Sequence, residues 1–168
     1  MIREKTLGYL VLFGLEKSIQ AWVRFIDFTY NPHLYGLSSG YPRKINYGAL
    51  YQAIKELREK GYIEITKNDE GKILMRLTGK GKQEIKIKEI LKEKNWDGKW
   101  RVVVFDIPEK HKRLRHALRW KLREWEFIPW QKSVWVTKKD IIEPLQDFVK
   151  ELGISHWIKV FLAEDLKL

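Results

Sequence analysis

Cysteine is absent from the 168-residue sequence, which excludes disulfides, thiolate metal sites and a cysteine nucleophile. Long hydrophobic runs are missing as well, because no stretch approaches the ~20 apolar residues that a membrane-spanning helix needs. Residues 1–5 include an acid and lack a signal-peptide cleavage pattern. These absences predict a cytoplasmic protein in a reducing compartment.

Enzyme motifs are scarce too. The sequence has no serine nucleophile elbow, no glycine-rich phosphate loop and no HExxH zinc motif. The four histidines show no metal-ligand spacing with one another; they are His33, His111, His116 and His156. The sequence therefore favours a binding protein over an enzyme and predicts no cofactor.

Positive charge is abundant. The chain carries 33 lysines and arginines against 22 acidic residues, which gives a net charge of +11. Such a balance indicates a polyanionic partner, with an ordinary solubilising surface as the alternative. Apolar residues make up 44% of the chain, enough for a packed core, and the length suits one medium domain or two small ones.

A change of composition near Asn95 marks the best domain boundary. The segment before it is rich in lysine, whereas a β-branched stretch begins soon after it, at Val102. We therefore predict an α+β protein with two domains. Residues 1–94 are predicted to form a winged helix-turn-helix with a connecting helix, and residues 95–168 a ferredoxin-like βαββαβ domain for dimerisation.

The winged-helix prediction depends on three helices followed by a hairpin. Apolar spacing predicts three helices, over residues 6–15, from Ser18 to about residue 29, and over residues 47–60. In the third helix Asn46 caps the start and Gly61 caps the end. Alternating strands over 62–66 and 72–78 follow, and a lysine-rich helix runs to about residue 94.

The third helix is the candidate DNA reader, because the major groove accommodates one helix. If its apolar stripe faces the core, its tyrosines, glutamine and lysine face outward. An ordinary solvated helix face is the alternative. The predicted DNA-binding residues are Arg43, Lys44, Asn46, Tyr47, Tyr51, Gln52, Lys55, Lys67 and Lys72.

The second half is predicted to run strand, helix, strand, strand, helix, strand. Its first helix, over residues 109–125, carries a basic stripe opposite its apolar one, and the stripe is a candidate phosphate contact. A solvated face on a sheet-covering helix is the equal alternative. The stripe consists of Lys112, Arg115, Arg119 and Arg123.

Asp106 stands alone at the end of the first strand of this half. A single carboxylate is a weak metal site, since Mg²⁺ catalysis needs several oxygen ligands. A metal-binding or catalytic role would require the matching Asp106 of a second subunit. An aspartate in a turn or helix cap is the favoured interpretation.

Residues 96–109, which read WDGKWRVVVFDIPE, resemble the central domain of the phenylacetate-catabolism repressor (PaaX-like) family. The resemblance continues through Arg113, Leu114, Arg115, Leu118 and Leu122 and then through QKSVWV at residues 131–136. The same pattern is similar to the small ferredoxin-like subunit of CRISPR spacer acquisition. That family's metal-binding aspartate matches Asp106.

The resemblance implies a homodimer, joined through the ferredoxin-like modules, that reads a palindromic duplex site as a repressor. This sequence ends at Leu168 without the repressors' further C-terminal region, so we name no small-molecule effector. Two alternatives remain open. One is a Mg²⁺-dependent nuclease with paired Asp106 residues, and the other is an architectural DNA-binding subunit of a CRISPR-type complex.

Overall fold

The computed structural model of this protein describes residues 6–18, 22–31 and 46–164. The chain divides into two compact units, residues 1–86 and 87–168. The described residues form six α-helices and two antiparallel sheets, so the α+β class is confirmed. Among these residues, no helix is both long and apolar enough to cross a membrane.

The first unit contains three helices, a three-stranded sheet and the start of a fourth helix. Its elements are α1 (Leu7–Lys17), β1 (Val23–Arg24), α2 (Phe25–Tyr30), α3 (Tyr47–Glu59), β2 (Ile63–Lys67), β3 (Ile73–Leu77) and α4 (Gly79–Lys92). The strands lie in the order β1-β3-β2, and Met75 of β3 is opposite both Val23 and Ile65.

The predicted start of the second helix at Ser18 is wrong. Ser18 ends α1 instead, and its backbone N–H donates to the Leu15 carbonyl oxygen at 3.4 Å. Val23 and Arg24 pair with β3 before α2 begins. The helical spacing of the sequence is overridden because strand pairing buries the β-branched Val23 almost completely.

Helix α3 has the ends that its sequence predicts. The Asn46 side-chain oxygen accepts a hydrogen bond from the Ala49 N–H at 3.2 Å and caps the first turn. At the other end Gly61 has a φ of 72°, the left-handed conformation that glycine adopts without strain. The core of the first unit is formed by α1, α2, α3 and the sheet, and includes Val11, Leu12, Phe28, Leu50, Ile54, Leu57, Ile63 and Met75.

The junction between β3 and α4 requires a glycine. The Thr78 hydroxyl donates to the Gly61 carbonyl oxygen at 2.7 Å and accepts from the Gly81 N–H at 3.0 Å. A Cβ atom on Gly81 would lie 2.1 Å from the Tyr62 carbonyl oxygen. That distance is far inside van der Waals contact, so any side chain at this position would displace the hairpin backbone.

The second unit follows the predicted order of strands and helices. Its elements are β4 (Trp100–Phe105), α5 (Lys112–Glu124), β5 (Ile128–Gln131), β6 (Val134–Thr137), α6 (Ile142–Glu151) and β7 (Ile158–Ala163). Short 3-10 turns, Glu109–His111 and Ser155–Trp157, occupy positions predicted as the start of a helix and of a strand. The sheet order is β5-β6-β4-β7, with every pair antiparallel.

The two faces of this sheet differ. On one face Val103 and Phe105 pack with Leu118 and Leu122 of α5 and Leu145 of α6 in the main core. The other face carries a smaller apolar cluster, which consists of Trp100, Val102 and Val136 with Val104, Val134 and Ala163 beside them.

Arg101 is a buried charge that anchors the chain just before β4. Its side chain is 4% exposed, and its two terminal nitrogens bind the two Asp97 oxygens at 2.6 and 2.8 Å. A third carboxylate oxygen, from Asp140, lies 3.1 Å from Arg101 Nη2. Bidentate pairing of this kind fixes geometry as well as adding binding energy.

We expect this pair to make folding sensitive to acid. The hydrogen bond from Arg101 lowers the pKa of Asp97 from 3.8 to about 2. A carboxyl with a depressed folded pKa contributes stability above its unfolded pKa, and that contribution is lost as the pH falls from about 4 to about 2. Thermal unfolding of wild type and Asp97→Asn between pH 2 and 7 should show a difference at pH 7 that has largely closed at pH 2. Asp69→Asn is the control for loss of a carboxylate, and an equal difference at both ends would refute the role of the pair.

Candidate nucleic-acid interface

Helix α3 turns its predicted reading residues outward. Its buried residues Leu50, Ile54 and Leu57 face the core of the first unit. Tyr47 and Tyr51 are 56% and 64% exposed. Gln52 and Lys55 are exposed as well.

Two of the predicted reading residues already have partners. The Asn46 side-chain oxygen accepts the capping hydrogen bond from Ala49, which leaves its NH₂ group as the part able to reach a ligand. Lys55 Nζ lies 4.0 Å from Glu59 Oε1, one helical turn away. Both side chains of that pair are about half-exposed, so the attraction is weak and easily exchanged for a phosphate.

The hairpin carries the other two predicted DNA-binding lysines that lie within the described residues. Lys67 is exposed at the end of β2. Lys72 forms an ion pair with Glu70, while its backbone N–H donates to the Asn68 side-chain oxygen at 2.8 Å. The predicted contacts Arg43 and Lys44 lie outside the described residues.

Sequence reasoning missed two exposed residues of α2 next to this face. Ile26 and Tyr30 are 63% and 67% exposed, and the Tyr30 ring centroid lies 6.0 Å from that of Tyr47. The start of the second helix was misplaced at Ser18, so the outward face of α2 was not identified from the sequence. The spacing of four residues between Ile26 and Tyr30 is the signal that identifies them once α2 is known to begin at Phe25.

The predicted basic stripe on α5 is not uniformly directed to solvent. Arg115 donates to the Ile107 carbonyl oxygen at 3.2 Å and pairs with Glu109 at 2.6 Å. Arg119 donates to the Lys132 carbonyl oxygen at 2.8 Å. Both arginines lie on the flanks of the helix, where loops of the same unit are within reach of their long side chains.

The exposed face of α5 consists of different residues from the predicted stripe. It retains Lys112 and Arg123 from the predicted stripe and adds Arg113, His116 and Trp120. Trp120 is 60% exposed. We call these five residues the α5 cationic face, since three of them are cations and none is acidic.

Asp106 lies directly after the last residue of β4. It is exposed, and its backbone N–H donates to the Trp157 carbonyl oxygen at 3.0 Å. Within the described ranges, no three His, Asp or Glu side chains are grouped to hold a metal ion. A single carboxylate lacks the several oxygen ligands that Mg²⁺ needs, so other ligands would have to come from a second copy.

Residues 93–168 match the family model described as the PaaX protein central Cas2-like domain. This part of the chain is similar to a PaaX central domain. The matched segment includes all four strands of the second sheet, both of its helices and the α5 cationic face. The resemblance found in the WDGKWRVVVFDIPE segment is thereby confirmed.

A solved structure similar to the chain is an uncharacterized protein from Mycobacterium tuberculosis. It is 18% identical with a TM-score of 0.48, and the match covers 96% of this chain and 63% of the other. The chain therefore spans less than two thirds of the length of that protein. Among proteins with curated descriptions, no match is found.

Proposed function

We propose that the protein is a dimeric transcriptional regulator that binds double-stranded DNA through its first unit. The observation that carries the proposal is the arrangement of that unit, α1-β1-α2-α3-β2-β3 with sheet order β1-β3-β2. A winged helix-turn-helix has this order of helices and strands. A PaaX central domain follows it in the same chain, and the resemblance to phenylacetate-catabolism repressors favours repression.

In this proposal α3 lies in the major groove. Its first three turns offer exposed Tyr47, Tyr51, Gln52 and Lys55, and a groove about 12 Å wide admits a helix of this size. Glutamine binds adenine edges, while tyrosine and lysine reach phosphates or base edges. Lys67 of the hairpin is exposed and would contact the neighbouring DNA backbone.

The second unit would act as the dimerisation module, with a ferredoxin-like fold. Its strand order and antiparallel pairing support that fold. Ile128, Val136, Val102 and Phe161 are opposite one another in a row across the sheet, on the face away from α5 and α6. Ile128 and Phe161, the ends of the row, are half-exposed apolar side chains that a second copy would cover.

Such a dimer has two-fold symmetry and presents two first units to DNA, so it matches a palindromic site. The α5 cationic face would supply further phosphate contacts, because Lys112, Arg113 and Arg123 are exposed without an acidic residue among them. The net charge of the whole chain, +11, also favours binding to a polyanion.

We expect fluorescence anisotropy to show tight, salt-dependent binding to duplex DNA. If six to ten phosphates are contacted, affinity should fall about 10³- to 10⁵-fold between 50 and 200 mM salt. Selection from a random duplex pool should enrich a palindrome, and single strands of the same sequence serve as the control. Equal binding to all duplexes would favour an architectural subunit instead.

The same samples, incubated with Mg²⁺ and run on a denaturing gel, test the nuclease alternative. Intact strands are expected. Cleavage that requires both Mg²⁺ and Asp106 would show that the protein is a nuclease and not the proposed regulator.

A further inference from the structure

Four large apolar side chains form one continuous exposed surface on α2 and α3. Ile26 and Tyr30 lie one turn apart on α2, and Tyr47 and Tyr51 lie one turn apart on α3. The contact between the Tyr30 and Tyr47 rings joins the two pairs. Each of the four is more than half exposed, and we call them the tyrosine surface.

We infer that the tyrosine surface recognises the 5-methyl groups of thymines in the major groove. This inference rests on the proposed function and adds a base preference to it. Thymine is the DNA base that presents a methyl group in the major groove, and apolar side chains are its partners there. Burying such a group against hydrocarbon contributes about 0.8 kcal/mol per carbon.

The composition of the surface favours bases over phosphates. A tyrosine hydroxyl can bind a phosphate, but Ile26 has no polar side-chain atom and can contribute only apolar contact. Gln52 follows Tyr51 on α3 and can bind the adenine paired with a contacted thymine. The surface thus suits A·T pairs, because adenine presents an edge that a glutamine amide can bind and thymine presents a methyl group.

The charges around the surface are compatible with DNA. No acidic residue occurs between Asn46 and Lys55. On α2, Asp27 is paired with Arg24, whose Nε lies 2.6 Å from the Asp27 carboxylate. The Asp27 charge, next to Ile26 in the sequence, is therefore offset by its ion pair, which limits repulsion of the DNA backbone. If the partner were an acidic protein instead of DNA, Gln52 would have no adenine edge to bind.

The test replaces thymine by deoxyuridine, which removes the methyl group and nothing else. The bound duplex selected from a random pool is resynthesised with deoxyuridine at one thymine position at a time. We expect each contacted position to bind about fourfold more weakly, which is the effect of losing one buried methyl group. In Tyr47→Ala/Tyr51→Ala, at least one of the contacted positions should bind thymine and deoxyuridine equally well.

Two further variants separate the methyl contact from other effects. Tyr51→Phe removes a hydroxyl and should preserve the thymine preference, whereas Lys55→Ala should weaken both duplexes by the same factor. Thermal unfolding checks that each variant is folded. Equal affinity of wild type for thymine and deoxyuridine duplexes at every position would overturn the inference and leave the regulator proposal standing. Absence of any duplex binding would overturn both.

Discussion

Replacing Tyr47, Tyr51 and Lys55 together by alanine is expected to weaken binding to the selected duplex at least about 100-fold. Good contacts between side chains and base edges are each worth about 1–3 kcal/mol, and a 100-fold loss corresponds to only about 2.7 kcal/mol. We set the lower limit there because neighbouring contacts are not additive. The three side chains are exposed, so the variant should fold as wild type does.

Anisotropy at constant salt measures the loss, and thermal unfolding monitors the fold. A matched control replaces three exposed residues of another helix, Gln146, Lys150 and Glu151 of α6, by alanine. Its affinity should stay within a few-fold of wild type. If the α3 variant binds as tightly as the control, α3 is not the reading helix and DNA contacts must lie elsewhere.

Introducing lysine at both ends of the cross-sheet row, in Ile128→Lys/Phe161→Lys, is expected to convert a dimer to a monomer. Like charges brought together across a symmetric interface repel, and each would be removed from water. The row ends are half-exposed in a single chain, so the unit itself should tolerate lysine there. Sedimentation or light scattering reports the oligomeric state.

The loss of the dimer has a second readout on DNA. Linking two binding modules can raise overall affinity about 10²- to 10⁴-fold, so the monomer should lose a comparable factor on the palindrome and little on an isolated half-site. Phe161→Leu, which keeps an apolar side chain, should remain dimeric. A wild-type protein that is monomeric at micromolar concentration, or a double variant that stays dimeric, would remove this face from the proposal.

The elements that the sequence predicted well are those with strong local signals. Strand β4 contains the β-branched stretch that begins at Val102, and it ends just before Asp106, as predicted. The three consecutive valines suit a buried central strand, and Pro108 cannot extend one. Helix α3 likewise has a capping asparagine and a terminating glycine. In such segments local preference and tertiary packing favour the same structure.

The parts that sequence reasoning missed depend on distant partners. Val23 lies in a strand only because Met75, more than fifty residues away, provides the pairing. Arg115 and Arg119 were assigned to a solvent-facing stripe by helical angle alone. Long arginine side chains reach carbonyl oxygens of neighbouring loops, and a helical projection does not include those loops.

The candidate site was predicted in part for the same reason. The outward direction of Tyr47 and Tyr51 follows from the apolar stripe of α3 itself. Tyr30 belongs to the same surface only through the way α2 and α3 meet, and its ring contact with Tyr47 has no counterpart in the sequence spacing. A surface built from two elements becomes visible only after both are placed.

The glycine at position 81 gives the junction between hairpin and helix a marker that can be read in other sequences. A Cβ at this position would lie 2.1 Å from the Tyr62 carbonyl oxygen. A chain with another residue here therefore cannot keep this backbone. Related chains that keep glycine here can carry the same hairpin in the same place. Chains with any other residue must hold the hairpin differently, and the hairpin lysines of one group should not be aligned with those of the other.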